Sequence, residues 1–203
     1  MIGAVRSRVP PDEVLEMFDD AVGAFVTEAG RVDDWDRPAC GTWTGTELAR
    51  HVLSVIGWYH DWLDRAEAGD SSPAFAIDDL AARNARDLAD LAQHGGLSGP
   101  EATQRFRMRA ERYAERLEDT WDLPFGYPRG TVTAGLHAGL ACFEWQAHAW
   151  DLAHAAGRDH RPHRPPRLYI AAADCLAAAT GAEGGEEPPE YPWGVMLVRS
   201  GRR

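Results

Sequence analysis

The sequence predicts an all-α fold, and three observations carry that prediction. Four stretches repeat apolar residues at helical spacing. Two of them open with a Ser/Thr-x-x-Glu pattern, the signature of a capping box. Proline and glycine clusters separate them. The first stretch, "PPDEVLEMFDDAVGAFVTEAG" (10–30), opens with prolines and acids, as a helix N-terminus prefers. Val14, Phe18, Val22, Phe25 and Ala29 form its buried stripe, and Gly30 stops it. "RVDDWDRPACG" then reads as a loop. In "TWTGTELARHVLSVIGWYHDWLDRAEAG" (42–69), Thr44 and Glu47 start a helix near residue 45 that runs to about residue 67 and ends at Gly69.

Residues 70–77 read as a connector and 78–93 as a shorter helix. Ser98 and Glu101 start the third long helix, whose stripe is Phe106, Ala110, Tyr113, Leu117 and Trp121. "DLPFGYPRG" (122–130) breaks it. The fourth long helix starts near Thr133 and stops at Gly157. After the linker "RDHRPHRPPR", a short helix spans 168–180, and "WGVMLV" (193–198) reads as a short extended segment. The expected architecture is an all-α bundle of four long helices, with a short C-terminal helix and an extended tail. Residues 1–182 form the bundle and residues 183–203 the tail.

Composition narrows the function. The 203 residues suit one domain with a small appendage. No apolar run approaches the roughly 18 residues of a membrane span, and "MIGAVRSRVPPDE" lacks the apolar core of a secretory signal. The three cysteines are widely spaced and form no CxxC pair. They indicate reduced thiols in a cytoplasmic protein rather than a disulfide framework or a cysteine-rich zinc site. A net charge of −11 is unsuited to nucleic acid, which needs a basic face. All 21 basic residues are arginine, a bias to which no mechanism attaches.

The stretch "FEWQAHAWDLAHAAG" (143–157) sets Glu144 and His148 one turn apart in an apolar helix. At about 100° per residue, His137 and Asp151 fall on or beside the same face. On the second long helix, His51 shares a stripe with Glu47, Val55, Trp58 and Trp62, which directs it to the core. Buried charge requires compensation. Two imidazoles and a carboxylate converging from two helices suit a borderline divalent ion such as Zn²⁺, with a coordination position left for water or substrate. The same residues also fit a plainer reading. In it, His51 is a hydrogen-bonded core residue, and Glu144 and His148 are an ordinary i, i+4 pair.

"CGTWTGTELARH" (40–51), followed by "FEWQAHAWDLAHAAGR" (143–158), resembles the metal-binding domain of mycothiol-dependent maleylpyruvate isomerases, in the wider DinB-like superfamily. The resemblance spans roughly residues 10–182. It implies a DinB-like four-helix bundle with a long crossover between its second and third helices, which fits residues 70–98, and a ligand set of His51, Glu144 and His148. The isomerases carry a C-terminal second domain that residues 183–203 are too short to form. Other superfamily members use three histidines where this chain has a central Glu144.

The chemistry expected from the resemblance is thiol-dependent transfer or isomerisation. A divalent metal would hold mycothiol as thiolate, which attacks a small electrophile. Two other readings stay open. One is a thiol-independent metal hydrolase or cyclase; the other is a non-catalytic metal- or ligand-binding protein. No catalytic residue is assigned. Asp151 can orient a ligand histidine. His137 can be a further ligand, a proton carrier or a core residue. Trp58, Trp62 and Arg158 are candidate substrate-binding residues, the arginine as part of a cationic mouth. The expected partners are the thiol and the electrophile, acting on a monomer or homodimer.

Overall fold

Local signals set the helix ends. The computed structural model describes residues 7–93, 96–182 and 186–202. Pro11 opens α1 (Pro11–Ala29), with Asp12 and Glu13 in its first turn, where the helix dipole favours negative charge. Helix α2 (Gly45–Glu67) begins at a complete capping box between Thr44 and Glu47. A 3₁₀ turn, Ile77–Asp79, leads into α3 (Leu80–Gln93). Helix α4 (Gly99–Thr120) starts at a second capping box, between Ser98 and Glu101. Thr133 caps α5 (Ala134–Ala155) by accepting from the Leu136 N–H. These boundaries match those expected from the sequence.

The described residues form a mostly helical protein with seven helices and two strand pairs. Helix α1 packs along α5, and α2 along α4, while α5 also meets α6 (Pro165–Thr180) and both strand pairs. Helix α5 is therefore enclosed. It buries Trp145, Cys142, Ala149 and His148 on different faces, as a helix apolar all round must. Gly139 lets α6 approach, because a Cβ there would stand 2.8 Å from the Ala171 Cβ.

Three segments differ from expectation. The loop at 31–41 contains β1 (Pro38–Cys40), which pairs antiparallel with β2 (Trp43–Thr44). This pair packs against α5 and α2 and brings Cys40 and Trp43 to the His51 end of α2. The break at 122–130 is half of a hairpin, β3 (Pro124–Tyr127) with β4 (Gly130–Thr133). Both pairs are too short for a period of two to show in the sequence.

The expected extended tail is helix α7 (Pro192–Arg199). Pro192 suits a first helical turn, and Trp193, Met196 and Leu197 at i, i+3 and i+4 bury one face. The boundary expected after residue 182 falls at residues 183–185, outside the described residues. No helix among the described residues is long and apolar enough to cross a membrane.

Candidate metal centre

The capping box at Thr44 fixes where α2 starts, and so places His51 in its second turn, facing α5. Glu144 and His148 project from consecutive turns of α5. One ligand atom from each of the three residues lies within 4.8 Å of the others. His51 Nε2 stands 3.9 Å from Glu144 Oε1, and the two imidazole rings meet edge to face at 5.2 Å between centroids. Burial, and then the neighbouring His148, push the His51 pKa well below its ordinary value. The ring is therefore neutral and keeps a lone pair. His51 Nδ1 is buried and has no hydrogen-bond partner among the described residues, while Nε2 is the ring atom turned toward Glu144. The donor set and the orphaned ring atom fit a divalent ion.

A second ring of side chains surrounds these three. His148 Nδ1 lies 3.0 Å from Asp151 Oδ2. Arg202 grips Asp151 with two bonds of 2.9 Å. Burial alone would raise the Asp151 pKa, but the bonds from His148 and Arg202 outweigh it and the net shift is downward, so Asp151 is a carboxylate. Tyr59 donates to Glu144 Oε2 at 2.5 Å, and burial, then the Glu144 charge, raise its pKa well above the usual phenol value. The Trp43 ring lies 4.7 Å from that of His51.

The Cys40 thiol joins His148 and Asp151 in a second donor group of the same span. Its pKa is pushed up to about 11, by burial and then by Asp151. From the other side, the Asn84 side chain of α3 reaches His51.

Other expected residues lie elsewhere. His137 is fully buried in an aromatic cage of Tyr59, Trp62, Phe125 and Tyr127. Trp62 is part of that cage. Trp58 donates its indole N–H to Asp87 at 2.7 Å and lines a groove of about 870 Å³ between α2, α3 and α4. None of the three candidate ligands lines that groove, and two of its arginines are paired, Arg83 with Asp87 and Arg116 with Asp64, so its volume does not make it the reactive centre. Arg158 is bound to Glu28 at 2.7 Å, tying the end of α5 to α1.

Sequence reasoning missed Cys40, Trp43, Tyr59, Asn84 and Arg202. Cys40 and Trp43 stand inside the motif at 40–51, which was the available signal. Tyr59 lies on α2 two turns beyond His51, but rotated off its stripe. Arg202 is 51 residues from Asp151 and carries no local signal.

The fold and the cluster define a mostly helical domain with a two-histidine, one-carboxylate candidate metal centre held between two long helices. The chain belongs to the family described as the mycothiol maleylpyruvate isomerase N-terminal domain, which it matches over residues 6–153. Neither the curated proteins nor the solved structures give a match.

Proposed function

We propose that the protein is a divalent-metal enzyme that uses a low-molecular-weight thiol, mycothiol in the first instance, to modify or isomerise a small electrophile. One observation carries this reading: three ligand atoms from α2 and α5 lie within 4.8 Å of one another. Family membership adds the thiol. On this reading, α1, α2, α4 and α5 are the DinB-like four-helix bundle, and α3 lies in its crossover. Residues 1–182 are the metal-binding unit and 183–203 its tail, in which α7 packs on α6.

His51, Glu144 and His148 are the ligands, and zinc suits two imidazoles and a carboxylate. A divalent ion bound there supplies the Lewis acidity that makes a thiol a thiolate at neutral pH. The protein's own groups hold the ligands in place. Tyr59 fixes one oxygen of Glu144 and leaves the other toward His51. Asp151 orients His148. The Trp43 ring shields His51 from water.

The test is purification without chelator from a mycothiol-producing cytoplasm, followed by elemental analysis and assays on electrophiles with and without thiol. The expected result is about one zinc per chain, lost in His148→Ala, with product formed only when thiol is present. Absence of stoichiometric metal overturns the reading. Product formed in thiol-free buffer replaces it with a metal hydrolase or cyclase.

A further inference from the structure

Arg202 lies outside the segment that matches the family, residues 6–153, yet it reaches the candidate centre. Helix α7 aims it there. The Gly201 N–H bonds the Val198 carbonyl and the Arg202 N–H bonds that of Leu197, with Gly201 at φ 80°. This left-handed turn ends α7 and sends the next side chain back toward α5. Arg202 is largely buried there, its side chain 15% exposed against 3% for Asp151.

We propose that Arg202 is a positioning residue of the metal centre, acting through Asp151 to hold His148 with Nδ1 protonated and Nε2 free for a metal. The proposal rests on the metal reading above. Its support is geometric. Asp151 Oδ2 accepts from His148 Nδ1 at 3.0 Å and from Arg202 Nη2 at 2.9 Å, while Oδ1 accepts from Arg202 Nε at 2.9 Å. Arg202 Nη2 and His148 Nδ1 stand 3.4 Å apart. Two N–H donors so close do not bond each other; both serve the shared oxygen.

The two-pronged guanidinium fixes the plane of the carboxylate, which a single ammonium cannot do. Without it, Asp151 could turn toward the Cys40 thiol, which shares the same donor group. The His148 ring would then lose its fixed tautomer. The segment beyond the matched domain thus completes the setting of a ligand within it.

Two readouts test this, neither of them turnover. The first is the His148 tautomer in metal-free protein, from ¹⁵N shifts of the ring nitrogens, assigned with His148→Ala. The second is zinc affinity, by competition with a chromophoric chelator. Wild type should show Nδ1–H. Arg202→Met should give mixed tautomers and about 10- to 100-fold weaker zinc binding, the usual cost of losing such a partner. Arg202→Lys should restore part of the affinity. Gly201→Val, which keeps the arginine but strains the turn, should weaken zinc binding in the same direction.

Arg8→Met is the control, because it breaks the Arg8 side-chain bonds to Asp174 without touching His148. It should lower thermal stability and leave both readouts unchanged. Zinc bound equally well by wild type and Arg202→Met overturns the proposal, as does an Arg8→Met variant that loses zinc to the same extent. An Nε2–H tautomer in wild type overturns it as well. No zinc uptake by wild type overturns the metal reading and this proposal together.

Discussion

Asp151 on α5 and Asp174 on α6 are both almost wholly buried, and each is gripped by an arginine from near an end of the chain. Arg8 holds Asp174 through its side chain and its backbone N–H, all at 2.8 Å. Arg202 holds Asp151 through two bonds of 2.9 Å. The aspartates are alike in burial, but Arg8 is 41% exposed and sets both side-chain nitrogens on Oδ1 while its backbone N–H takes Oδ2, whereas Arg202 is 15% exposed and spans both oxygens. The pairs differ also in the neighbour. Asp151 also takes the ring nitrogen of His148, a candidate ligand, whereas Asp174 is held by Arg8. A buried ion pair by itself is weak evidence of a role, since desolvation offsets much of its attraction. The third partner distinguishes a fastening from part of a site.

The largest expected effect breaks the fastening. Arg8→Met strips the side-chain bonds from buried Asp174 and leaves only the backbone N–H, so it should cost about 3 kcal/mol, the low end for breaking a buried pair, or roughly 10 °C in melting temperature for a chain of this size. Replacing both partners, Arg8→Met with Asp174→Leu, removes the stranded charge and should recover most of that loss. Melting curves for the single and double variants check both statements. A double variant no more stable than the single would mean that the packing around Asp174, rather than its charge, sets the cost.

The two pairs also mark what could be read in the sequence. The long helices were legible because their ends rest on local chemistry, Thr44 with Glu47 and Ser98 with Glu101. His51, Glu144 and His148 were legible because helical spacing puts the last two on one face and an apolar stripe turns the first inward. Arg202 was not, since its partner is 51 residues away and the residues of α7 read as an extended segment. The acid and glycine residues before Pro192 hid a helix whose stability comes from Trp193, Met196 and Leu197 packing on neighbours. His137 shows the limit of the wheel. Helical spacing puts it on the face of Glu144 and His148, but it stands two turns before Glu144 on α5, inside the aromatic cage.

His137 and His148 make a second comparison, of one α5 histidine without an acid and one with. Burial alone depresses the His137 pKa from 6.5 to about 3. Its folded value lies below its unfolded value, so the unfolded chain binds the extra proton between those limits. The stability it allows is complete above pH 6.5 and is lost as pH falls from there toward 3. At pH 5 the loss is about 2 kcal/mol, at about 1.4 kcal/mol per pH unit. Urea unfolding at pH 7.5 and pH 5 should show a drop in wild type that is smaller by this amount in His137→Phe. Equal drops would mean that the ring is reached by water and titrates normally.

Tyr59 tests the carboxylate in the same way. Its hydroxyl donates to Glu144 at 2.5 Å, but the Glu144 side chain is 29% exposed, and water can replace part of the bond. Tyr59→Phe should therefore cost about 1 kcal/mol, below the usual 1.5–3 for a bond to a charged group. Zinc affinity should fall by a few-fold, because Glu144 keeps its other oxygen toward His51. A melting-temperature change with no shift in zinc affinity would assign the phenol to packing alone.

The smallest effect is expected where the two candidate ligand histidines differ most. His148 is held by a carboxylate that is itself clamped by Arg202. His51 has only the Asn84 side chain, and neither its Nδ1 nor the Asn84 Oδ1 completes a hydrogen bond among the described residues. Asn84 stands on α3, which buries none of its described residues. It can therefore move without disturbing a core, and it contributes little order to the ring. Asn84→Ala should change stability by less than about 0.5 kcal/mol, because Asn84 is only half-buried and its Oδ1 has no hydrogen bond to lose. Zinc affinity should fall by less than the roughly tenfold lower bound for a fixed partner. The chelator competition used for Arg202 measures it. A loss as large as that of Arg202→Met would show that α3 closes on His51 when metal binds, so that both histidines are fastened in the loaded protein.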